Sequence, residues 1–127
     1  MPTNETGVVR EIVQAIYLEY PEAWGTKIHG SPYQPVGIPD LLFCIEGRLV
    51  ALEVKHQKPG ESREHAAARA TPAQLSQING IRRAGGTAHV VCSAEEALRV
   101  IQSTLDSGTW YSCVTQQESP HNIEERR

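Results

Sequence analysis

The stretch Asp40-Leu-Leu-Phe-Cys-Ile-Glu-Gly-Arg-Leu-Val-Ala-Leu-Glu-Val-Lys55 decides how this chain is read. Two apolar runs flank Glu46-Gly47, and together they predict a β-hairpin closed by a tight turn. A two-residue turn fixes the register outward. Ile45 faces Arg48, Phe43 faces Val50, and Asp40 faces Glu53. Directly opposed residues share a face, with Cβ atoms about 5 Å apart. Lys55 lies two residues beyond Glu53 and shares that face.

Two opposed carboxylates repel and destabilise a sheet unless something positive lies between them. A hard divalent cation such as Mg²⁺ fits, since it takes one or two carboxylates together with water and substrate phosphate. A lysine beside the cation can orient a water or stabilise charge that develops on a phosphate. Asp40, Glu53 and Lys55 therefore suit metal-assisted hydrolysis of a phosphodiester. The plainer reading is a solvent-facing Glu53–Lys55 ion pair on an amphipathic strand, and Glu-x-Lys alone is a weak signal. The Pro-Asp strand start and the matching register weigh against it.

Working outward, Val9, Ile12, Val13, Ile16 and Tyr17 recur at helical spacing and predict a helix over 6–20, stopped by Pro21. A short strand is expected at 26–29, followed by a loop over 30–37. Residues 56–70 read as an exposed, partly helical loop. Thr71, Pro72 and Gln74 form a capping box that starts a helix with Leu75, Ile78 and Ile81 as its buried stripe, ended by Gly85-Gly86. A strand over 87–92 follows, then a helix capped by Ser93 with Glu96 and carrying Ala97, Leu98, Ile101 and Leu105. The unit from strand 49–55 through helix 72–84 to strand 87–92 is expected to be a parallel crossover. The fold class is thus α/β, a mixed β-sheet flanked by helices on both faces.

The 127 residues suffice for one cored domain, read as 1–105, with 106–127 as a mostly polar tail bearing Trp110 and Tyr111. A hydrophobic fraction of 39% and a charged fraction of 21% indicate a folded chain, and no apolar run is long enough to span a membrane. The start MPTNETG has no signal-peptide pattern, which places the chain in a cytoplasm, that of a bacterial cell or a phage-infected host. Cys44, Cys92 and Cys113 match no disulfide framework or zinc spacing, and the first two are expected to be small core residues. No motif for a nucleotide cofactor is present, so no small-molecule cofactor is expected. The net charge is −3, yet between 55 and 83 the bases Lys55, Lys58, Arg63, Arg69, Arg82 and Arg83 face only Glu61 and Glu64. Such a stretch suits a phosphate-binding face, or equally a solvated loop and helix surface. Lys58 and Arg63, on the loop after Lys55, are candidate DNA contacts. Lys27 and His29, alternating along the first strand, are candidates too.

Gly37-Ile-Pro-Asp40, Leu41-Leu42, Leu52-Glu-Val-Lys55 and Thr71-Pro-Ala-Gln74 together resemble the VRR-NUC domain, the virus-type replication-repair branch of the PD-(D/E)XK nucleases. Lys27-Ile-His-Gly-Ser-Pro-Tyr-Gln34 is similar to its phage and prophage members, and the resemblance spans roughly residues 5 to 103. It implies a restriction-endonuclease-like fold and a Mg²⁺-dependent deoxyribonuclease, with Mn²⁺ able to substitute. Asp40, Glu53 and the backbone carbonyl of Val54 would ligate the metal. Lys55 would be the catalytic lysine, and Gln74 would support the site or the scissile phosphate. Related nucleases often carry an acidic residue or Gln on the first helix. Val9 stands at that position, and Glu5, one turn earlier on the same stripe, is expected to take the role. Stand-alone members are similar to Holliday junction resolvases that act as homodimers on branched DNA in recombination and repair. The alternatives are a nuclease acting on flaps, single strands or duplex ends, and a non-catalytic DNA-binding accessory protein.

Overall fold

The computed structural model describes residues 2–107; the expected tail, with Trp110, Tyr111 and Cys113, lies outside the described residues. Helix α1 (Glu5–Glu19) begins at Asn4, whose side chain accepts from the Gly7 N–H. Strand β1 (Trp24–Lys27) follows, two residues earlier than the sequence pattern suggests. Strands β2 (Leu41–Ile45) and β3 (Arg48–Val54) form the predicted hairpin, with Leu41 opposite Leu52 and Ile45 opposite Arg48. Glu46 and Gly47 both take positive φ, 50° and 80°, as a two-residue turn that matches strand twist requires. The short α2 (Arg63–Ala67) is the helical part of the 56–70 loop. Helix α3 (Pro72–Arg83) opens with the full Thr71–Gln74 capping box, and β4 (Thr87–Val91) and α4 (Ala94–Ser107) complete the described chain.

The strand order is β1-β2-β3-β4, antiparallel except for the parallel pair β3–β4 joined through α3. Helices α1 and α4 cover one face. There Ile12, Ile16 and Ile101 meet Leu41, Phe43, Val50, Leu52 and Val54 in one buried cluster. Each such side chain removed from water contributes about 1.5–3 kcal/mol. Helix α3 covers the other face with a thin layer, Ile78 on Ala51 and Ala88, edged by Leu42, Ile81 and Val90.

Four expectations need correction. Leu75 is 45% exposed, because α3 meets the sheet chiefly through Ile78, and Ile81 is only partly covered. Tyr17 is 40% exposed, since it lies at the margin of α1, edge-on to Phe43. Cys44 is exposed, because it alternates onto the α3 face beyond the reach of that helix, whereas Cys92 is buried as expected. The second capping box is half formed. Ser93 accepts from the Glu96 N–H, but Glu96 bonds the Cys92 N–H and Arg63 rather than its own cap.

Candidate functional site

Alternation along the hairpin separates two kinds of residue. Leu41, Leu52 and Val54 point to the α1/α4 core, so Asp40, Glu53 and Lys55 point to the α3 face. Asp40 precedes β2 and continues its pairing, since its carbonyl accepts from the Ile28 N–H at 2.8 Å. Its Oδ2 accepts from the Val54 N–H at 2.8 Å, which turns the carboxylate across the hairpin toward β3. Glu53 is 1% exposed and lies opposite Val90 of β4. Its Oε2 is 3.5 Å from the Lys55 ammonium, while its Oε1 is buried with no hydrogen-bond partner among the described residues.

Burial pushes the Glu53 carboxyl up to about 8; the Asp40 charge beside it adds to the rise, and Lys55 opposes it. An unpartnered buried carboxylate oxygen is costly to leave as it stands. A cation between Asp40 and Glu53 would relieve both the missing partner and the like-charge repulsion. The donors present fit a hard divalent ion: two carboxylates, with open directions for water and phosphate oxygens. Among the described residues no three His, Cys, Asp or Glu side chains gather into a metal-binding group, so Glu5 does not join Asp40 and Glu53. Glu5 is the exposed first residue of α1.

Gln74 is brought to the same place. Together with Asp40 it lines a groove between the 30–37 segment and the start of α3. Its Oε1 accepts from the Thr71 N–H at 2.8 Å, so the side chain is held by the capping box with its NH₂ left to donate. Gly37 makes this approach possible. Its φ is +91°, and a Cβ there would lie 2.5 Å from the Ala73 carbonyl.

Other candidates are placed elsewhere. Lys27 pairs with Leu41 and therefore lies on the α1/α4 face, and continued alternation puts His29 with it; Thr26 and Ile28 share the face of Asp40 instead. Arg63 is committed internally, donating to Glu96 at 2.8 Å and to the Val90 carbonyl at 2.7 Å. Arg69 binds Glu61 and the His56 carbonyl, and Arg82 binds the Ala88 carbonyl and His89. Most of the basic stretch is thus used to build the fold. Lys58 is exposed on the loop after Lys55, and no acidic side chain pairs with its ammonium among the described residues.

The sequence did not reveal Glu61 as the hub of that loop. Its carboxylate accepts from the Lys58 N–H and meets both Arg69 and His65, while its carbonyl accepts from Gln57. The contacts held its carboxyl below its ordinary range, the Lys58 N–H foremost. An acid eight residues before an arginine carries no local signature, so only the folded loop discloses it.

With this geometry the described residues share the fold of solved VRR_NUC domains, a mixed sheet flanked by helices. A solved structure described as a VRR_NUC domain aligns with a TM-score of 0.52 at 20% identity, over 75% of this chain and 94% of that one. The Holliday junction resolvase Hjc of Archaeoglobus fulgidus aligns with a TM-score of 0.50 at 18% identity, over 69% of this chain and 67% of that one. Neither a family model nor a curated protein matches the chain by sequence. The likeness is therefore one of architecture. No helix among the described residues is long and apolar enough to cross a membrane.

Proposed function

We propose that this chain is a metal-dependent DNA endonuclease that hydrolyses phosphodiesters, with Asp40 and Glu53 as metal ligands and Lys55 as the catalytic lysine. The observation that carries this reading is the buried Glu53 carboxylate, with one oxygen lacking a partner, set against Asp40 and beside Lys55. When bound, Mg²⁺ would polarise a phosphoryl oxygen and make a coordinated water more acidic. The Val54 carbonyl is proposed as a further ligand.

The residues of the chain do the rest. Asp40 is fixed by the Val54 N–H on Oδ2, and its other carboxylate oxygen would serve as the metal ligand. Glu53, held away from bulk water, presents a carboxylate that gains most from a cation. The Lys55 ammonium, 13% exposed, orients the attacking water or stabilises charge on the phosphate. Water adds to phosphorus, the bond to the leaving sugar oxygen breaks, and that oxygen takes up a proton. Gln74 donates toward the scissile phosphate from the first turn of α3.

The proposed substrate is branched DNA, and the resolvase form of the proposal is a homodimer. A four-way junction presents two equivalent strands, and a twofold dimer presents two matching sites. The likeness to the Hjc fold supports this version. The test is cleavage of an end-labelled four-way junction and a matched linear duplex, with and without Mg²⁺, with Lys55→Ala in parallel. Symmetric, metal-dependent cutting of the junction that Lys55→Ala abolishes is the expected result. Cutting of duplexes or flaps alone would keep the site and replace the substrate. Junction binding without cutting in Mg²⁺ or Mn²⁺ would leave a binding module.

A further inference from the structure

The groove that Asp40 and Gln74 share with the 30–37 segment has a volume of about 330 Å³. Its chemistry is not that of a phosphate site. No lysine, arginine or histidine lines it among the described residues, and Asp40 is its one charged group. It offers the hydroxyl of Ser31 and the amides of Gln34 and Gln74, with the apolar side chains of Ile28 and Ile38 beside them. Amides and hydroxyls match the edge of a nucleobase, and apolar groups match its faces.

The segment forming one side of the groove carries two conspicuously bare side chains. Tyr33 is 97% exposed and Val36 is 78% exposed. They do not sit on a loosely tethered loop. The Tyr33 N–H donates to Ser31 Oγ at 3.1 Å, the Gln34 N–H donates to the Ser31 carbonyl at 3.3 Å, and Gly37 lies against the backbone of Ala73 and Gln74. Tyr33 thus carries a solvent-exposed ring on an anchored segment that forms one side of a base-compatible groove, and such a ring can stack on a base.

We propose that this groove is a nucleobase subsite. It receives an unpaired nucleotide adjacent to the phosphate positioned at the Asp40, Glu53 and Lys55 site; Tyr33 stacks on that nucleotide, and Gln34 meets its edge. A base inside continuous duplex is stacked on both sides and paired at its edge, so it cannot enter without being extruded. The substrate class is therefore DNA with an unpaired nucleotide beside the scissile phosphate, at a branch, a flap or a single-stranded end. The inference rests on the nuclease reading for the position of the phosphate.

The test uses the full chain in a Lys55→Ala background with Mg²⁺, so that the DNA is not consumed. The probe is a duplex with a short single-stranded extension and 2-aminopurine at the first unpaired position, against a blunt duplex of equal length. The extended DNA is expected to bind roughly ten-fold more tightly than the blunt one and to lose fluorescence on binding. Tyr33→Ala should abolish both the preference and the quench, while Tyr33→Phe should retain both. A Tyr33→Ala chain with the preference intact, or a starting chain with no preference, overturns the subsite. Cutting by the Lys55-containing chain is scored separately. Cutting without any Tyr33 effect removes the subsite and keeps the nuclease. A Tyr33-dependent quench without cutting under any condition keeps the subsite and removes the nuclease.

Discussion

The two faces of the sheet are built on opposite principles. The α1/α4 face is a continuous apolar layer of large branched and aromatic side chains, Ile12, Ile16, Phe43, Leu52 and Ile101 among them. The α3 face has Ala51 and Ala88 where that layer has large residues, and at its end Asp40, Glu53 and Lys55 replace apolar contact altogether. One hairpin supplies both, because successive residues alternate between faces. Stability is concentrated on one side, so the other can hold a buried carboxyl group and stay open to a substrate.

The sharpest way to break this comparison is to exchange the expected effects. Lys55→Ala should lower cleavage by at least about 10³-fold, the loss of an electrostatic contribution of roughly 4 kcal/mol to the barrier, while the unfolding temperature stays within a few degrees of wild type. Phe43→Ala should do the reverse. It costs about 3–5 kcal/mol of stability through lost transfer energy and a cavity, yet cleavage per folded molecule should persist at a temperature where the variant is folded. Denaturant unfolding and single-turnover cutting on the same samples check both. If Phe43→Ala abolished cutting in the folded state, or Lys55→Ala unfolded the chain, the two faces would not be separable.

The next effect concerns the buried carboxylate itself. Glu53 titrates near 8 in the folded chain against an ordinary 4.5, so protonation favours folding. Without metal, stability should be full below about 4.5, fall as pH rises toward 8, and level off above it. Glu53→Gln should remove most of that fall and be the more stable protein at pH 8, by on the order of 2 kcal/mol. Mg²⁺ should raise the melting temperature of the wild type at pH 8 and leave Glu53→Gln nearly unmoved. Melting curves across pH in a chelator and then in Mg²⁺ test this; a flat wild-type profile would mean that Glu53 is not held uncharged.

How far the sequence discloses these faces follows from the range of the signals. The hairpin and its register are local, because Glu46-Gly47 fixes every opposed pair out to Asp40 and Glu53. The capping box at Thr71 and Gln74 is equally local. Charge on the 55–83 stretch is a different matter. Counting it forecasts a positive surface, but Arg63 reaches Glu96 and Arg69 reaches Glu61, partners that only the folded chain brings close. The face that Lys27 takes is hidden for a related reason. Its distance from Asp40 along the sequence is short, but its face depends on the β1–β2 register, which no tight turn fixes.

That last contrast yields the smallest predicted effect. Lys58 and Arg63 lie five residues apart on one loop, and composition treats them alike. In the fold, Lys58 projects from an exposed position, whereas the Arg63 guanidinium is tied to Glu96 and the Val90 carbonyl. Lys58→Ala should reduce the slope of log affinity against log salt by up to about 0.9, one phosphate contact, with little change in stability. Arg63→Ala should leave that slope unchanged and cost about 1–3 kcal/mol of folding stability, because Glu96 loses its guanidinium and the Val90 carbonyl loses a donor. DNA binding measured at several salt concentrations, alongside melting of both variants, separates the two. A reduced slope for Arg63→Ala at unchanged stability would mean that the ion pair opens on DNA, and that the arginine belongs to the binding face after all.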